Sequence, residues 1–291
     1  MSRARFLESE RRVGFLCLAP ALLAVAAFSL APLAIVLWLS LRRHMPVFGI
    51  SRFVGLDNYA YLVSDPRFLS SLGNTAYVVL ASVALELVLG LLVALLLDRS
   101  FSGRRIARAA VLVPWAFPTV VAASAWGFLL SPGFGVVNRV LGIDANWLGD
   151  PWLAIHAVIL ADVWKSTPLA ALLLLAGLQV IPRDLGRAAL VDGAGAAARF
   201  FRVTLPLLRP TILVVVLFRS LDAFRIFDVV YVLTGGGPAN TTESVSLYAY
   251  RLYFQTLQFG TGSAVSIASC LVMAAWSAVM VGLLSTSRRG A

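Results

Sequence analysis

Residues 187–194 of this chain read Arg-Ala-Ala-Leu-Val-Asp-Gly-Ala, and residues 200–210 read Phe-Phe-Arg-Val-Thr-Leu-Pro-Leu-Leu-Arg-Pro. Both stretches belong to a polar, basic segment, residues 181–210, that separates two long apolar runs. This polar segment divides the apolar chain into a part before residue 181 and a part after residue 210.

The start of this segment has the pattern of a short helix. Pro182 interrupts the preceding apolar run and is tolerated in the first turn of a new helix. Ala188, Ala189 and Asp192 then share one helical face, which the alanines keep shallow. Gly193 has no Cβ and therefore permits a sharp exit from the helix. The pattern predicts a short helix whose backbone a partner could approach closely.

The composition predicts an integral membrane protein. Of the 291 residues, 60% are hydrophobic and 13% are charged, and the mean hydropathy is +0.88. Soluble domains carry about 25% charged residues. The net charge is +10, but the basic residues lie mostly in short segments between apolar runs. That placement indicates membrane orientation rather than nucleic-acid binding, so the lipid bilayer is an expected partner and nucleic acid is not.

Six apolar runs are long enough to cross a bilayer, which takes about 20 residues. They cover residues 13–41, 75–97, 109–130, 153–180, 211–233 and 264–284. None shows strand-like alternation, and each is too long for a barrel strand. The predicted fold class is all-α: a polytopic membrane protein with six transmembrane helices.

The distribution of lysine and arginine predicts the orientation. With both termini cytoplasmic, fifteen basic residues lie in inside segments and six in outside segments, as the positive-inside rule expects. The predicted divisions are a cytoplasmic tail over residues 1–12, a first helix over 13–41, an extracytoplasmic loop over 42–74, a core over 75–285 with five helices and the cytoplasmic loop 181–210, and a cytoplasmic tail over 286–291.

Seven charged residues fall inside the predicted spans, where a charge costs from about 2.5 kcal/mol upward unless it is paired or hydrated. They are Glu86, Asp162, Lys165, Arg219, Asp222, Arg225 and Asp228. The last four alternate in sign at three-residue steps, so neighbours can pair along one helix. Each step turns about 300°, so the four cannot all face one pore. Glu86 is alone in its run and is expected to pair across helices, with Lys165 as the candidate.

The segment 187–194 resembles the cytoplasmic coupling loop of ABC importer permeases. That pattern reads Glu-Ala-Ala, two residues, Asp-Gly-Ala, and later Leu-Pro followed by Pro. The matching positions are Ala188, Ala189, Asp192, Gly193 and Ala194. The resemblance implies that these residues contact a separate ATPase. Arg187 stands where the family has its glutamate, so a salt bridge from that position would be absent or reversed in sign.

Three further stretches, residues 163–168, 218–228 and 233–238, are similar to the carbohydrate branch of these permeases, which handles maltose, trehalose and glycerol-3-phosphate. Within that branch the chain is similar to the first permease subunit of mycobacterial-type trehalose importers, over most of residues 13–285. The resemblance implies a type I importer permease in the bacterial inner membrane, a second permease subunit, two copies of a cytoplasmic ABC ATPase and an extracytoplasmic sugar-binding protein.

A sugar pathway needs polar side chains for hydroxyl groups and aromatic faces for the apolar side of the ring. The predicted pathway residues are Trp164, Lys165, Arg219, Asp222, Phe224 and Arg225. Pro168 deprives the Trp164 carbonyl of its helical partner, so a hinge is expected beside Lys165. The predicted substrate is a small sugar, a disaccharide such as trehalose or maltose.

Alternatives to this assignment stay open at the level of sequence. Within the importers, glycerol-3-phosphate or another polyol is possible, although excess arginine would favour phosphate and the charges of the fifth run are balanced. From other classes, a self-sufficient secondary transporter or channel would explain buried charges, but the paired broken helices typical of such transporters are not apparent. A membrane enzyme has least support: no phosphate loop, metal-ligand spacing or nucleophile elbow is present, so neither cofactor nor catalysis is predicted.

Overall fold

The computed structural model describes residues 3–289, with side chains described for residues 13–285 apart from Leu16. The predicted tails, 1–12 and 286–291, therefore lie partly outside the described residues. The chain divides into two compact units. The first runs through Ser64 and includes Ala249–Ala268, and the second comprises Asp65–Tyr248 and the chain from Ser269 onward.

The first unit begins with one long apolar helix that changes pitch in its middle. Its consecutive segments are α1 (Arg3–Val25), a π-helical turn (Ala26–Leu30) and α2 (Ala31–Ser40). Val13–Ser40 is long and apolar enough to cross a membrane, which agrees with the predicted span over residues 13–41.

A short β-hairpin follows, which the sequence patterns do not predict. Its strands are β1 (Arg42–Met45) and β2 (Ile50–Phe53), and Arg43 lies opposite Arg52 in the antiparallel register. Gly49 closes the turn at φ +63°, a left-handed conformation that glycine adopts without strain. The next helix is α3 (Asp57–Ser64). Asn58 of α3 links this helix to the end of α2 and the start of β1, because its side-chain amide donates to the carbonyls of Ser40 at 2.7 Å and Arg42 at 2.9 Å.

The second unit is built from helices. They are α4 (Pro66–Asp98), α5 (Arg104–Ala116), α6 (Thr119–Leu129), α7 (Val136–Leu141), α8 (Pro151–Val180), α9 (Arg183–Val191), α10 (Ala196–Arg199), α11 (Leu205–Phe224) and α12 (Asp228–Leu233). A π-helical turn, Phe200–Thr204, joins α10 to α11. The last two helices of the chain are α13 (Val245–Phe254) and α14 (Phe259–Arg289). Both α4 and α8 begin with a capping aspartate followed by proline.

Within residues 3–289, five helical segments are long and apolar enough to span a membrane. They are Val13–Ser40, Pro66–Asp98, Pro151–Val180, Ala196–Phe224 and Phe259–Ser285. The third predicted span is resolved into α5 and α6, which are bent by 89° and count as a sixth span only when taken together. The predicted fold class, a predominantly helical polytopic membrane protein, is confirmed.

The predicted fifth span, residues 211–233, is wrong at both ends. The helical segment begins at Ala196, and α11 ends at Phe224. After the break the Ser244 hydroxyl donates to the Ile226 carbonyl at 2.8 Å, and Ile226 is buried. Irregular backbone is tolerated at such a place because protein groups satisfy it. Asp228 therefore starts α12 instead of continuing the helix that carries the other charges.

Close helix approach holds the second unit together. A Cβ on Gly90 would lie 3.1 Å from the Ala171 backbone nitrogen, which shows how near α4 runs to α8. A Cβ on Gly177 of α8 would lie still closer, 2.5 Å, to the hydroxyl of Thr211 on α11. Small residues at such crossings let apolar helices pack without a hydrophobic driving force between them. The three helices α4, α8 and α11 thereby form the frame that positions the charged residues.

Candidate functional site

A buried charge cluster lies where α4, α8 and α11 meet. The Arg219 guanidinium donates two hydrogen bonds to the Glu86 carboxylate, from Nε to Oε2 at 2.6 Å and from Nη2 to Oε1 at 2.8 Å. Nη2 also lies 3.6 Å from Oδ2 of Asp162, and Nη1 donates to Oδ2 of Asp222. Arg219 and Glu86 are each only 1% exposed. One arginine thus joins carboxylates from three helices.

This geometry corrects one expectation about Glu86. The sequence predicts a partner across helices, and the structure supplies one, but the partner is Arg219 rather than Lys165. Planar, two-pronged pairing of arginine with a carboxylate is stronger and more directional than a single contact. The signal in the sequence was the presence of both charges in apolar runs, but their contact joins positions far apart in the chain and cannot be read from local spacing.

The predicted charge ladder of the fifth run forms only in its first step. Arg219 and Asp222 pair at i,i+3 on α11 as expected. Arg225 lies just past the end of α11, where it is exposed, and Asp228 opens α12. The Asp222 side chain is 62% exposed although one of its oxygens is held by Arg219. Asp222, near the end of α11, is therefore the exposed carboxylate of the cluster.

The other predicted pathway residues do not all gather at this cluster. Trp164 is 40% exposed and packs edge-to-face against Trp126, with ring centroids 6.0 Å apart. Lys165 follows it on α8 and is half-buried. Phe224 instead lines an apolar groove with Trp276 of α14. The α8 helix runs continuously through its proline, and the hinge expected there stays a prediction.

The predicted coupling helix is present as α9, beginning directly after Pro182. At its end Asp192 donates its backbone N–H to the Ala188 carbonyl at 3.0 Å, and Ala194 donates to the Ala189 carbonyl at 2.9 Å. This closing geometry places the intervening glycine at φ +78°, which satisfies the last carbonyls of the helix. The prediction of a short helix with a sharp glycine exit is confirmed.

The face of α9 is open to a partner. Ala188, Asp192 and Gly193 are exposed, while Ala189 and Ala194 are half-buried. The neighbouring apolar side chain of Val191 is also exposed, by 87%. Exposed apolar groups beside a shallow helix face are typical of an interaction surface. Arg187, the departure from the family pattern, points to its own helix and lies 3.2 Å from Asp184.

A second polar cluster was missed by the sequence patterns. Arg67 at the start of α4 donates to both carboxylate oxygens of Glu243, at 2.7 and 2.9 Å, and Glu243 is 1% exposed. Tyr248 donates to Asp65 beside it. The segment 234–244, which follows α12, is thus held by α4. The sequence offered one signal of this cluster, an isolated glutamate in a loop rich in glycine, proline and threonine.

These features define a class of protein: a polytopic membrane protein with charges held inside its helical frame and a short partner-facing helix between two spans. In the described part of the chain, no group of three or more His, Cys, Asp and Glu side chains is arranged so that it could hold a metal ion.

Residues 86–288 match the family described as binding-protein-dependent transport system inner membrane component, and the chain belongs to this family. It is a permease subunit of an ABC transporter, and ATP hydrolysis resides in a separate subunit. This membership sets aside the secondary transporter, the channel and the membrane enzyme.

Two curated relatives are similar over nearly the whole chain. The trehalose/maltose transport system permease protein MalF of Thermococcus litoralis is 43% identical over 274 residues, covering 93% of this chain and 92% of that protein. The trehalose transport system permease protein SugA of Mycobacterium tuberculosis is 42% identical over 267 residues, covering 91% and 86%. A chain of a bacterial alginate ABC transporter, solved in complex with an alginate pentasaccharide-bound periplasmic protein, matches with a TM-score of 0.82 at 23% identity, covering 99% of this chain and 98% of that one. The structural likeness shows the shared fold.

Proposed function

We propose that this chain forms half of the translocation pathway of an ATP-driven importer for a sugar, a disaccharide such as trehalose or maltose. The observation that carries the proposal is the similarity, over about nine-tenths of the chain, to permeases named for those two sugars. The remaining half of the pathway would come from a second permease subunit.

The coupling part of the proposal rests on α9. Two copies of a cytoplasmic ATPase would serve the permease pair, one of them gripping the exposed face around Ala188, Asp192 and Gly193. Ala189 and Ala194 support that face from its half-buried edge. We propose that the segment 181–210 and both termini lie in the cytoplasm of a bacterial cell, and that an extracytoplasmic sugar-binding protein serves the other side. The arginine content of the segment supports the same orientation.

The substrate part of the proposal rests on Asp222. Its carboxylate is more than half exposed, and Arg219 fixes one of its oxygens, so the other can accept hydrogen bonds from sugar hydroxyls. Arg219 itself is enclosed and acts as a positioning residue. Trp164 offers an aromatic face, with Lys165 and the exposed Arg225 as further polar contacts.

Phe224 leaves the proposed pathway. It lies two residues from Asp222 on α11, on a nearly opposite face, and lines an apolar groove instead. Glycerol-3-phosphate is not favoured as substrate. The cluster contains three carboxylates and one guanidinium, whereas a phosphate would call for excess cationic groups.

Uptake by the complete importer in proteoliposomes tests the substrate. Radiolabelled trehalose, maltose and glycerol-3-phosphate are supplied in turn, with the binding protein outside and ATP inside. The proposal expects saturable uptake of a disaccharide that depends on ATP. Faster uptake of glycerol-3-phosphate than of either disaccharide would contradict the sugar assignment, and uptake without ATP would contradict the coupled mechanism.

A further inference from the structure

A large cavity lies at one end of the spanning helices of the second unit. Its volume is about 830 Å³, and it is enclosed by the last turns of α4 and α8, the first turns of α5 and α9, and the π-helical turn before α11. Its charged lining consists of Asp98, Arg104, Arg108, Arg183, Arg187 and Arg199. Five guanidinium groups against one carboxylate give the cavity a strongly positive charge.

Two of these arginines have nitrogen atoms that are shielded from water yet lack a hydrogen-bond partner in the part of the chain that the structure describes. They are Nε and Nη2 of Arg108 and Nε of Arg199. Arg104 differs, because it donates to the Leu97 carbonyl at 2.6 Å and lies 3.8 Å from Asp98. Enclosed donors without an acceptor are costly. The two unpaired arginines therefore favour an acceptor that carries negative charge.

The position of the cavity indicates where that acceptor comes from. The helices α4 and α8, each long and apolar enough to cross a membrane, end at Asp98 and Val180 beside the cavity, and we infer that a membrane–water boundary lies near this end. Phospholipid phosphates are concentrated at that depth. The planar fork of arginine matches phosphate oxygens in pairs, and basic pockets between spanning helices are suited to acidic lipid headgroups.

The cavity also borders α9, on the helix face that carries Arg183 and Arg187. Arg183, Arg187 and Leu190 of α9 line it. The residues proposed to meet the ATPase, Ala188 and Asp192, lie on the opposite face of the same helix. An anion in the cavity would therefore bridge the back of α9 to the ends of the spanning helices.

We propose that this arginine-lined cavity binds the phosphate group of an anionic phospholipid and thereby fixes α9 to the membrane-embedded frame. Arg108 and Arg199 are the principal donors. The inference needs only that the second unit spans a membrane, and it is independent of which sugar is carried. A soluble phosphate offers the same chemical group, so the experiment must separate the two sources.

Native mass spectrometry of the full chain with its co-purifying subunits tests the proposal. The detergent-solubilised protein is titrated with phosphatidylglycerol, with phosphatidylcholine and with inorganic phosphate. The expected result is retention of phosphatidylglycerol by wild type and weak retention of phosphatidylcholine. Arg108→Gln/Arg199→Gln is expected to weaken phosphatidylglycerol binding at least about tenfold, because two charge-assisted donors are lost.

A matched control removes the same charge from the same parts of the chain. Arg105→Gln/Arg202→Gln changes two exposed arginines outside the cavity and is expected to change binding less than twofold. Arg108→Lys/Arg199→Lys keeps the charge but loses the fork, and should recover part of the binding even if the glutamine variant unfolds. Equal binding by the cavity and control variants would overturn the proposal, as would indifference of the wild type to both probes. Full displacement of the lipid by millimolar inorganic phosphate would keep the phosphate site and reject the lipid source.

Discussion

Replacing Glu86 with glutamine tests the buried charge cluster. The change keeps the shape of the side chain but removes the charge that receives two short hydrogen bonds from Arg219. Removing one partner of a buried pair costs about 3–5 kcal/mol, because the other charge stays buried without compensation. The loss is expected near the lower end of that range, since Asp162 and Asp222 still face the guanidinium.

Replacing the arginine of the pair, Arg219, should destabilise the protein more than replacing Glu86. Arg219→Met removes the cation that pairs with carboxylates from three helices, those of Glu86, Asp162 and Asp222. The order of destabilisation is therefore Arg219→Met above Glu86→Gln. Because the two groups interact directly, the double variant Glu86→Gln/Arg219→Met should lose less than the sum of the single variants.

The assay is thermal unfolding of the purified complex in detergent. At about 2 °C per kcal/mol for a chain of this size, a loss near 3 kcal/mol means that Glu86→Gln should lower Tm by about 6 °C. Asp98→Asn is the matched control on the same helix, because its carboxylate is 40% exposed and lies 3.8 Å from Arg104. A pair of that kind contributes about 0–1 kcal/mol. Equal Tm values for the two variants, or an unchanged Tm for Arg219→Met, would refute the buried clamp.

Three further substitutions follow from the same structure. Asp222→Asn should reduce disaccharide uptake in proteoliposomes about tenfold or more while Tm changes little, because the exposed carboxylate is proposed to meet the sugar; unchanged uptake would contradict that assignment. Gly90→Leu should destabilise the protein by more than about 3 kcal/mol, since even a Cβ would crowd α8, whereas Gly282→Leu, where a Cβ meets nothing within 4 Å, should leave Tm within about 2 °C. Glu243→Gln should cost about 1–3 kcal/mol, because the uncharged amide in its place can no longer accept both hydrogen bonds from Arg67 of α4, and an unaltered Tm would argue against that contact.

Length and polarity were enough to predict most of the spans and the short helix α9. A run of 20 or more apolar residues has few alternatives in a membrane, and the proline and glycine that bound α9 act through their own backbone geometry. The i,i+3 pairing of Arg219 with Asp222 was also local and therefore predictable.

Features that depend on contacts between distant segments were not predictable in the same way. The partner of Glu86 lies on a helix reached only after the chain has crossed the membrane several more times. The break after Phe224 is satisfied by the hydroxyl of Ser244, which comes from a later segment. The hydropathy run continues across that break, and the charges around it, Asp222, Arg225 and Asp228, gave no signal of it because their spacing also suits a continuous helix. Tertiary hydrogen bonds, rather than local propensity, decide where α11 ends.

The most direct test of the account asks whether α9 transmits work from an ATPase. Gly193 has φ +78°, a backbone conformation in which a β-branched side chain is strained, whereas Gly195 has φ −65°. A Cβ on either glycine meets nothing within 4 Å, so the two positions differ in backbone strain and not in space. The affinity-tagged chain is purified in a mild detergent as wild type, Gly193→Val and Gly195→Val, and the co-purifying ATPase is quantified. The account predicts that wild type and Gly195→Val retain the ATPase and that Gly193→Val loses most of it while keeping the second permease subunit. Equal recovery of the ATPase by all three proteins would contradict the claim that α9 is the coupling helix.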